Sequence, residues 1–310
     1  MPEPRGISRQ EFLRGAVGAA GAVAAGALFG LPRAGADPRS DAWAELSNAI
    51  QGQVKLPDNG QFDASKAVFN TNFDGMKPAA VVTPTSLADV QKTMEFAAKR
   101  GANVAPRGGG HSYVGASTAN GVMVLDLRQL PGDIAYDAGT GHVTVTPATH
   151  LYDIHQVLAA NGRGIPTGTC PTVGAGGHAL GGGLGASSRH AGLLSDQLVS
   201  ATVVLPGGNA VTASSAQNPD LFWALRGGGG GNFGVTTSLT FATFPVGDVD
   251  VVNLHYPLQA FPQVLLGWQS WLRTADRNSW ALVDAGNDPR NPDCRILATC
   301  PVGTGGAVAA

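Results

Sequence analysis

Three side chains that could take part in chemistry interrupt a glycine-rich stretch between residues 168 and 185. They are the thiol of Cys170, the hydroxyl of Thr172 and the imidazole of His178. Each surrounding glycine costs about 1 kcal/mol relative to alanine in a regular element. Such a run is typical of backbone that approaches a ligand closely, with amide N–H groups turned towards an anion such as a phosphate. The sequence therefore predicts that this stretch is the centre of a binding site.

A second glycine cluster, Arg107 to Ser112, follows a predicted strand. A strand that runs into consecutive glycines can fold its amides into an anion-binding nest, and the Ser112 hydroxyl can add a contact to a phosphate. The position of His111 at the end of this nest favours a ligand role over a place in the core. Gly110-His111-Ser112 also begins the G-x-S-x-G motif of hydrolases, but Val114 stands where the second glycine belongs. A serine hydrolase that uses Ser112 remains a competing hypothesis.

The central stretch also contains a partial dinucleotide-binding fingerprint. Gly174, Gly176 and Ala179 satisfy G-x-G-x-x-A, and Asp196 follows about 20 residues later. That fingerprint needs a buried strand before it and a helix after it. Here Gly168-Thr169-Cys170-Pro171 comes before it and further glycines follow, so a Rossmann site is disfavoured.

Hydrophobic periodicity predicts strands and helices that would position these clusters. The predicted helices are one that carries Trp43, Leu46 and Ile50, and those at 86–100, 151–158, 219–225 and 259–275. The predicted strands are 79–82, 103–106, 122–125, 134–136, 142–146, 197–205, 210–213, 235–244, 249–256, 279–284 and 295–300. A third glycine cluster, 227–231, lies just before the strand at 235 and is closed by Asn232-Phe233-Gly234.

Composition sets further limits. The chain has 310 residues, of which 43% are hydrophobic and 14% charged, with a net charge of −2. It can therefore bury a large core, and it offers no electrostatic basis for binding nucleic acid. Neither H-E-x-x-H nor C-x-x-C occurs, and His150 and His155 lack the spacing of metal ligands on a helix, so no metal site is expected. Cys294 and Cys300 are expected to be free or buried thiols, because six positions along one strand span roughly 20 Å, whereas bridged α-carbons lie less than about 7 Å apart.

Residues 1–36 have the pattern of an export signal. Three arginines precede a small and apolar run at 16–31, and an Ala-Gly-Ala cleavage site ends at Ala36. The mature protein is predicted to begin at Asp37 and to be exported to the extracellular or periplasmic side. The segment resembles a twin-arginine export box, although Gln10 stands where the second arginine belongs. Because the apolar run is short for a membrane span of about 20 residues, no stable span is expected in the mature form.

Taken in order, the three glycine clusters resemble the motifs of the berberine-bridge-enzyme-like flavoprotein oxidases, whose FAD domain is of the vanillyl-alcohol-oxidase, or PCMH, type. The matching segments are Pro106–Tyr113, Cys170–His178 followed by Gly181–Gly183, and Leu221–Arg226 with the residues that follow it as far as Val235. The resemblance is specific over about residues 62–246 and weaker from there to residue 310.

This resemblance implies an α+β fold. After the export signal come an N-terminal docking segment at 37–72 and a PCMH-type FAD-binding domain of two subdomains at 73–246. The start of an antiparallel-sheet substrate domain is expected at 247–310. In the resembled family the catalytic base comes from the C-terminal part of the substrate domain, which this chain is expected not to include. No base is therefore named.

The resemblance also assigns roles to single residues. It implies FAD held by two covalent bonds, from the His111 imidazole to the 8α-carbon of the isoalloxazine and from the Cys170 sulfur to ring carbon 6. His178 would lie near flavin N1 and the C2 carbonyl, with a buried histidine bonded to backbone as the alternative. Ala175 would admit O2 to the C4a face, unless it is small only because the backbone is crowded there. The other residues expected to contact the cofactor are Arg107, Gly108, Gly109, Gly110, Ser112, Thr172, Val173, Gly174, Gly176, Gly177, Gly181, Gly182, Gly183, Asp196, Asn232, Gly234 and Val235.

The implied activity is that of an FAD-dependent oxidoreductase. It would oxidise an alcohol group of a carbohydrate or a secondary metabolite, or an amine, by hydride transfer to flavin N5. O2 would accept the electrons and leave as hydrogen peroxide. The expected partners are thus a small-molecule substrate and O2. A flavin-binding fragment without turnover remains the alternative, beside the hydrolase hypothesis.

Overall fold

The computed structural model describes residues 40–286 and 293–309, so the predicted export signal lies outside the described residues. The helices are α1 Ser40–Ala49, α2 Phe62–Lys66, α3 Leu87–Arg100, α4 Leu151–Ala159, α5 Ala175–Leu180, α6 Ser188–Ala191, α7 Pro219–Leu225, α8 Phe261–Leu272 and α9 Gly305–Ala309. The strands are β1 Gln53–Lys55, β2 Ala80–Thr83, β3 Val104–Arg107, β4 Met123–Asp126, β5 Ala135–Asp137, β6 His142–Val145, β7 Arg163–Gly164, β8 Leu198–Val204, β9 Ala210–Ser214, β10 Val235–Ala242, β11 Phe244–Pro245, β12 Val249–Pro257, β13 Trp280–Gly286 and β14 Asp293–Pro301. The predicted helices and strands are all present, with ends displaced by a few residues.

The first sheet has the strand order β1-β2-β4-β3. β2 and β3 both run parallel to β4 and lie on either side of it, with Val81 and Ala105 each opposite Val124. Every residue of β2 and β4 is buried, as expected for parallel strands that are covered on both faces. β3 ends at Arg107, so this sheet delivers the second glycine cluster at one of its edges.

Helices α1 and α3 pack on the first sheet beside each other. At the start of α3 the Ser86 hydroxyl accepts a hydrogen bond from the Asp89 N–H, and Gly101, at a φ of 66°, ends the helix. Both residue types are typical of these positions at the two ends of a helix. Trp43 of α1 packs on Phe96 of α3 with ring centroids 5.4 Å apart. The predicted docking helix is thus part of the core of this sheet.

The second sheet is antiparallel throughout, in the order β5-β6-β10-β8-β9. Helix α4 packs on it through Leu151, Ile154 and Leu158, which lie in one core cluster with Phe241 of β10. Because α4 starts directly after the segment that leaves β6, the sheet fixes the position of residues 147–150 as well.

Helix α5 lies inside the glycine stretch, where the sequence argument expected only further glycines and was wrong. Its residues Ala175, Ala179 and Leu180 are buried in the core of the second sheet. This burial outweighs the low helix propensity of Gly176 and Gly177. Residues 165–173 contain no strand, so the structural context of a dinucleotide fingerprint is still missing.

The third sheet has the order β12-β14-β13 and is antiparallel. Trp268 and Trp271 of α8 pack on one of its faces. Cys294 and Cys300 of β14 are buried and unpaired, which confirms the prediction that both are thiols. The mixed helix and sheet architecture confirms the predicted α+β class. None of the helices within the described ranges combines the length and apolar character needed to span a bilayer.

Arg189 ties the segment around the third sheet to the preceding part of the chain. The guanidinium of Arg189, in α6, donates hydrogen bonds to the carbonyl oxygens of Leu272, Ala275 and Ser279 at 3.2–3.3 Å. These carbonyls lie at the end of α8 and just before β13. Arg189 therefore holds the helix end, where the dipole favours a cation.

Candidate functional site

The second glycine cluster and the central glycine stretch meet backbone to backbone. A Cβ built on Gly109 would lie closer than 3.0 Å to the amide nitrogen of Gly174, and one built on Gly174 would lie equally close to the amide nitrogen of Gly109. Only glycine can occupy either position without moving a main chain. The expectation that the glycines make room for a ligand is therefore incomplete, because these two make room for each other.

A third segment, Pro147 to Tyr152, forms backbone hydrogen bonds with the central glycine stretch. Its carbonyl groups accept hydrogen bonds from the amides of Ala175 and Gly176, each at 2.9 Å. Its amides donate in turn, at 3.0 and 3.1 Å, to the carbonyls of Val173 and Pro171. The composition of this segment is not that of a ligand-binding loop, so its role could not be predicted from the sequence. The segment holds the backbone on both sides of Thr172.

His111 is oriented by two contacts. Its Nε2 lies 3.1 Å from the Thr172 hydroxyl, and its ring stacks on Phe69 with centroids 4.1 Å apart and an interplanar angle of 20°. Burial, and after it the charge of His150, lower the pKa of His111 against an opposing hydrogen bond with the backbone of Thr172. The imidazole is therefore neutral at pH 7, and no side chain within residues 40–286 and 293–309 bonds to its Nδ1.

The backbone just before His111 presents unpaired donors. Within residues 40–286 and 293–309, the amides of residues 109–112 donate to no protein acceptor. Gly110 is buried at a φ of 74°, a conformation that favours glycine. A buried amide such as that of Gly110 is nearly always paired with a protein group, water or a ligand. The loop is therefore suited to an anion, as the sequence predicts.

Cys170 belongs to the loop whose Thr172 contacts His111. Its thiol is exposed and free, and it stands two positions before Thr172, the residue that contacts the imidazole. The two residues predicted to hold a cofactor covalently, 59 positions apart in sequence, are thus brought together by the contact between their loops. Both side chains keep a nucleophilic atom available.

Ser112 lacks what a nucleophilic serine needs. Its hydroxyl accepts a hydrogen bond from the Ala116 amide at 3.0 Å, which is a turn contact. The neighbouring imidazole of His111 is bonded to Thr172 instead. Among the described residues no imidazole reaches the Ser112 oxygen, so the hydrolase hypothesis has no general base.

His178 makes the backbone contact that was named as its alternative role. Its Nε2 accepts a hydrogen bond from the Gly168 amide at 2.9 Å, and burial lowers the pKa of the ring. A neutral imidazole that accepts at Nε2 carries its proton on Nδ1. The predicted place of His178 beside a flavin remains a prediction, and Nδ1–H is the donor it would use there.

Arg107 does not face the glycine loop with its side chain. The guanidinium is 1% exposed, lies 2.9 Å from Asp126 Oδ2 and donates to the carbonyls of Ser65, Lys66 and Ala67. The alternating burial of β3 places this side chain on the covered face. The Arg107 side chain therefore anchors the chain at the end of α2. Only the backbone of Arg107 could make the predicted contact with a cofactor.

Four other predicted cofactor residues have structural partners. Asp196 accepts from the Leu193 amide at 2.8 Å and pairs with Arg226 at 3.4 Å. Asn232 donates to the Gly228 carbonyl at 2.7 Å. Val235 lies in the core of the first sheet. Gly234, at a φ of 130°, passes so close to Val204 that a Cβ would clash. These contacts explain the residue types without a ligand, and the predicted cofactor contacts remain predictions.

Ala175 is fully buried, with its side chain in the core of the second sheet. We therefore expect Ala175→Leu to overpack that core and lower the free energy of unfolding by about 1–3 kcal/mol. Gly177→Leu is the matched control, because a Cβ at Gly177 meets nothing within 4 Å. Chemical denaturation of both variants checks the expectation. An Ala175→Leu protein as stable as the parent would contradict this placement and would leave the oxygen-gate hypothesis open.

Comparisons with known proteins agree with this architecture. The FAD binding domain family matches residues 78–214. Xylooligosaccharide oxidase of Thermothelomyces thermophilus is 41% identical over 202 residues, which are 63% of this chain and 40% of that protein. Chitooligosaccharide oxidase of Gibberella zeae is 35% identical over 237 residues, 73% of this chain and 47% of that protein. The chain thus spans about half the length, or less, of these curated relatives.

A solved structure gives the same result for the fold. Physcomitrella patens BBE-like 1 superimposes with a TM-score of 0.76 and 28% identity, over 83% of this chain and 56% of that one. The family resemblance read from the three glycine clusters is confirmed. Residues 78–214 are therefore an FAD-binding domain, and the chain is a homologue of the berberine-bridge-enzyme-like and FAD-linked oligosaccharide oxidases.

Proposed function

We propose that this chain belongs to an FAD-dependent oxidase that acts on an alcohol group, with a carbohydrate hydroxyl as the favoured donor. The relatives named as oxidases of xylo- and chitooligosaccharides support this choice. A relative named as an (R)-6-hydroxynicotine oxidase, 36% identical, makes a nitrogen-bearing donor the second candidate. The observation that carries the proposal is the loop of unpaired amides that ends in the neutral His111, next to the exposed thiol of Cys170.

These residues fit FAD. The amides of residues 109–112 would bind its pyrophosphate, because such a nest concentrates N–H donors on an anion. His111 Nδ1 and Cys170 Sγ would hold the isoalloxazine by two covalent bonds. When bound, FAD supplies a two-electron acceptor for a C–H bond of the donor and passes the electrons to O2, which leaves as hydrogen peroxide.

His178 would complete the ring site. Its Nδ1–H is a hydrogen-bond donor held in a fixed direction by the Gly168 contact at Nε2. A preorganised donor of this kind stabilises negative charge more than a mobile one does. We assign to His178 the stabilisation of the anionic, reduced ring, as a neutral donor and not as a cation.

The protein is also proposed to be exported. Support comes from the basic start of the chain, the apolar run at 16–31 and the cleavage site that ends at Ala36. N-terminal sequencing of the secreted protein would test this, and a mature protein that still begins at Met1 would contradict it.

Acid precipitation of the purified protein tests the covalent attachment. Flavin should stay with the protein pellet in the parent and in each of His111→Ala and Cys170→Ala, because one bond remains, and the absorption spectrum of each should shift. Flavin should be released only from the double variant. His255→Ala and Cys300→Ala are the controls, since both residues lie in the third sheet.

Two results would contradict parts of the proposal. Flavin released by acid from the parent would reject covalent attachment. Flavin that stays bound but is reduced by no oligosaccharide or amine donor without oxygen would favour the alternative, a flavin-binding fragment without turnover. That alternative draws on the fraction of the relatives' length that this chain covers.

A further inference from the structure

We propose that Phe69 and Thr172 are positioning residues for His111, which select the ring orientation and the tautomer that allow its covalent bond to flavin. The inference rests on the proposed function, because it takes the His111 attachment as given. Neither residue is a nucleophile in this scheme. Each acts through the imidazole, Phe69 on its face and Thr172 on its Nε2.

The proposed role of Thr172 is to hold the tautomer that leaves Nδ1 free to react. The Thr172 hydroxyl lies 3.1 Å from His111 Nε2 and can accept a hydrogen bond from Nε2–H. In that tautomer, which the proposal requires, the lone pair lies on Nδ1, and Nδ1 is the nucleophilic atom. Bond formation with the methyl carbon of the flavin removes one proton from that carbon and, in the final product, one from Nε2. O2, the acceptor already proposed, takes these two protons and the two electrons as hydrogen peroxide. The Thr172 hydroxyl lies where the Nε2 proton must leave.

Phe69 fixes the plane of the ring. Its side chain is 61% exposed although it is large and apolar, and the imidazole of His111 covers one of its faces. Its amide donates to the Gly110 carbonyl at 3.1 Å. The ring stack and this backbone bond together tie the segment before Phe69 to the loop that ends in His111.

The other end of that segment is anchored as well. Arg107 donates to the carbonyls of Ser65, Lys66 and Ala67, and its own position is set by Asp126. Phe69 is thus held between a buried arginine on one side and Gly110 on the other. These contacts hold the exposed ring of Phe69 in place against the imidazole of His111. Removal of the Phe69 ring should therefore free the imidazole to rotate.

The test measures covalent attachment and not turnover. In the Cys170→Ala background, where only the His111 bond remains, the rate of flavin attachment is followed by acid precipitation and by mass spectrometry of the His111 peptide. We expect Phe69→Ala to slow attachment by about tenfold, which is the range of an aromatic contact. We expect Thr172→Val, which keeps the shape and removes the hydroxyl, to slow it at least as much.

Conservative variants separate positioning from stability. Phe69→Tyr and Thr172→Ser keep the ring and the hydroxyl, and each should attach flavin at close to the background rate. The melting temperature of each variant should stay close to that of the Cys170→Ala parent. Normal attachment in Phe69→Ala and Thr172→Val, or no rescue by Tyr and Ser, would overturn the inference. A Cys170→Ala parent that carries no His111-linked flavin would instead reject the proposed attachment itself.

Discussion

Gly109→Ala should abolish flavin binding and destabilise the protein by more than the roughly 1–3 kcal/mol that overpacking usually costs. The added Cβ would meet the amide nitrogen and α-carbon of Gly174 and the carbonyl oxygen of Thr172. All three are main-chain atoms, so no side-chain rotation can relieve the clash. The two loops would have to separate, and His111 would lose its contact with Thr172. The flavin-to-protein ratio and the midpoint of chemical unfolding measure the effect.

Gly177→Ala is the matched control for this variant. Gly177 belongs to the same glycine stretch, but a Cβ there meets nothing within 4 Å, and alanine favours a helix. The control should therefore be as stable as the parent, or slightly more stable. A Gly109→Ala protein with a normal flavin content and unfolding midpoint would show that the loops do not meet as described.

Asp126→Asn should cost about 3–5 kcal/mol of unfolding free energy, because it leaves the buried Arg107 without its charged partner. The Asp126 carboxylate lies 2.9 Å from Arg107 and 2.7 Å from Arg128, and Arg107 Nε is already buried without a hydrogen-bond partner. Urea unfolding of parent and variant gives the difference directly. Asp63→Asn is the control, since its pair with Lys66 is exposed on the Asp63 side and such pairs contribute about 1 kcal/mol or less.

Asp126 should also make the free energy of unfolding depend on pH in the acid range. Burial acts to raise the pKa of Asp126, but hydrogen bonds and attraction from Arg128 and Arg107 outweigh it and hold the pKa below its ordinary value. A lowered pKa contributes stability above the unfolded value, and this contribution is lost as the pH falls through the folded value. The parent should therefore lose stability more steeply in acid than Asp126→Asn. Equal slopes below about pH 4, or an unfolding midpoint unchanged at pH 7, would contradict the role given to this pair.

Local features of the fold could be predicted from the sequence because they depend on neighbouring residues. Ser86 and Gly101 mark the ends of α3 by their own backbone preferences. The strands follow from their apolar runs in the same way. Helix α5 could not be predicted, since its glycines oppose it and only the burial of Ala175 and Leu180 favours it.

The candidate site could be predicted only in part, because its loops are joined by contacts between residues that are distant in sequence. The motifs identify His111 and Cys170, but they do not show that Gly109 and Gly174, 65 positions apart, touch. Alternation along β3 is the sequence feature that indicates the burial of Arg107, because Ala105 and Arg107 share one face of the strand. Asp126 stands opposite Arg107 on β4. Phe69 lies in no motif, so only the structure could show its stack on His111.

The tie made by Arg189 has a consequence for how the third sheet can vary. Arg189 binds carbonyl oxygens of the main chain at Leu272, Ala275 and Ser279, and a carbonyl oxygen is present whatever side chain the residue carries. The sequence of β12–β14 can therefore diverge, or be exchanged for that of a relative, while this anchor stays intact. If the third sheet contributes to substrate choice, its replacement by the sheet of a relative would change the specificity and keep the hydrogen bonds of Arg189.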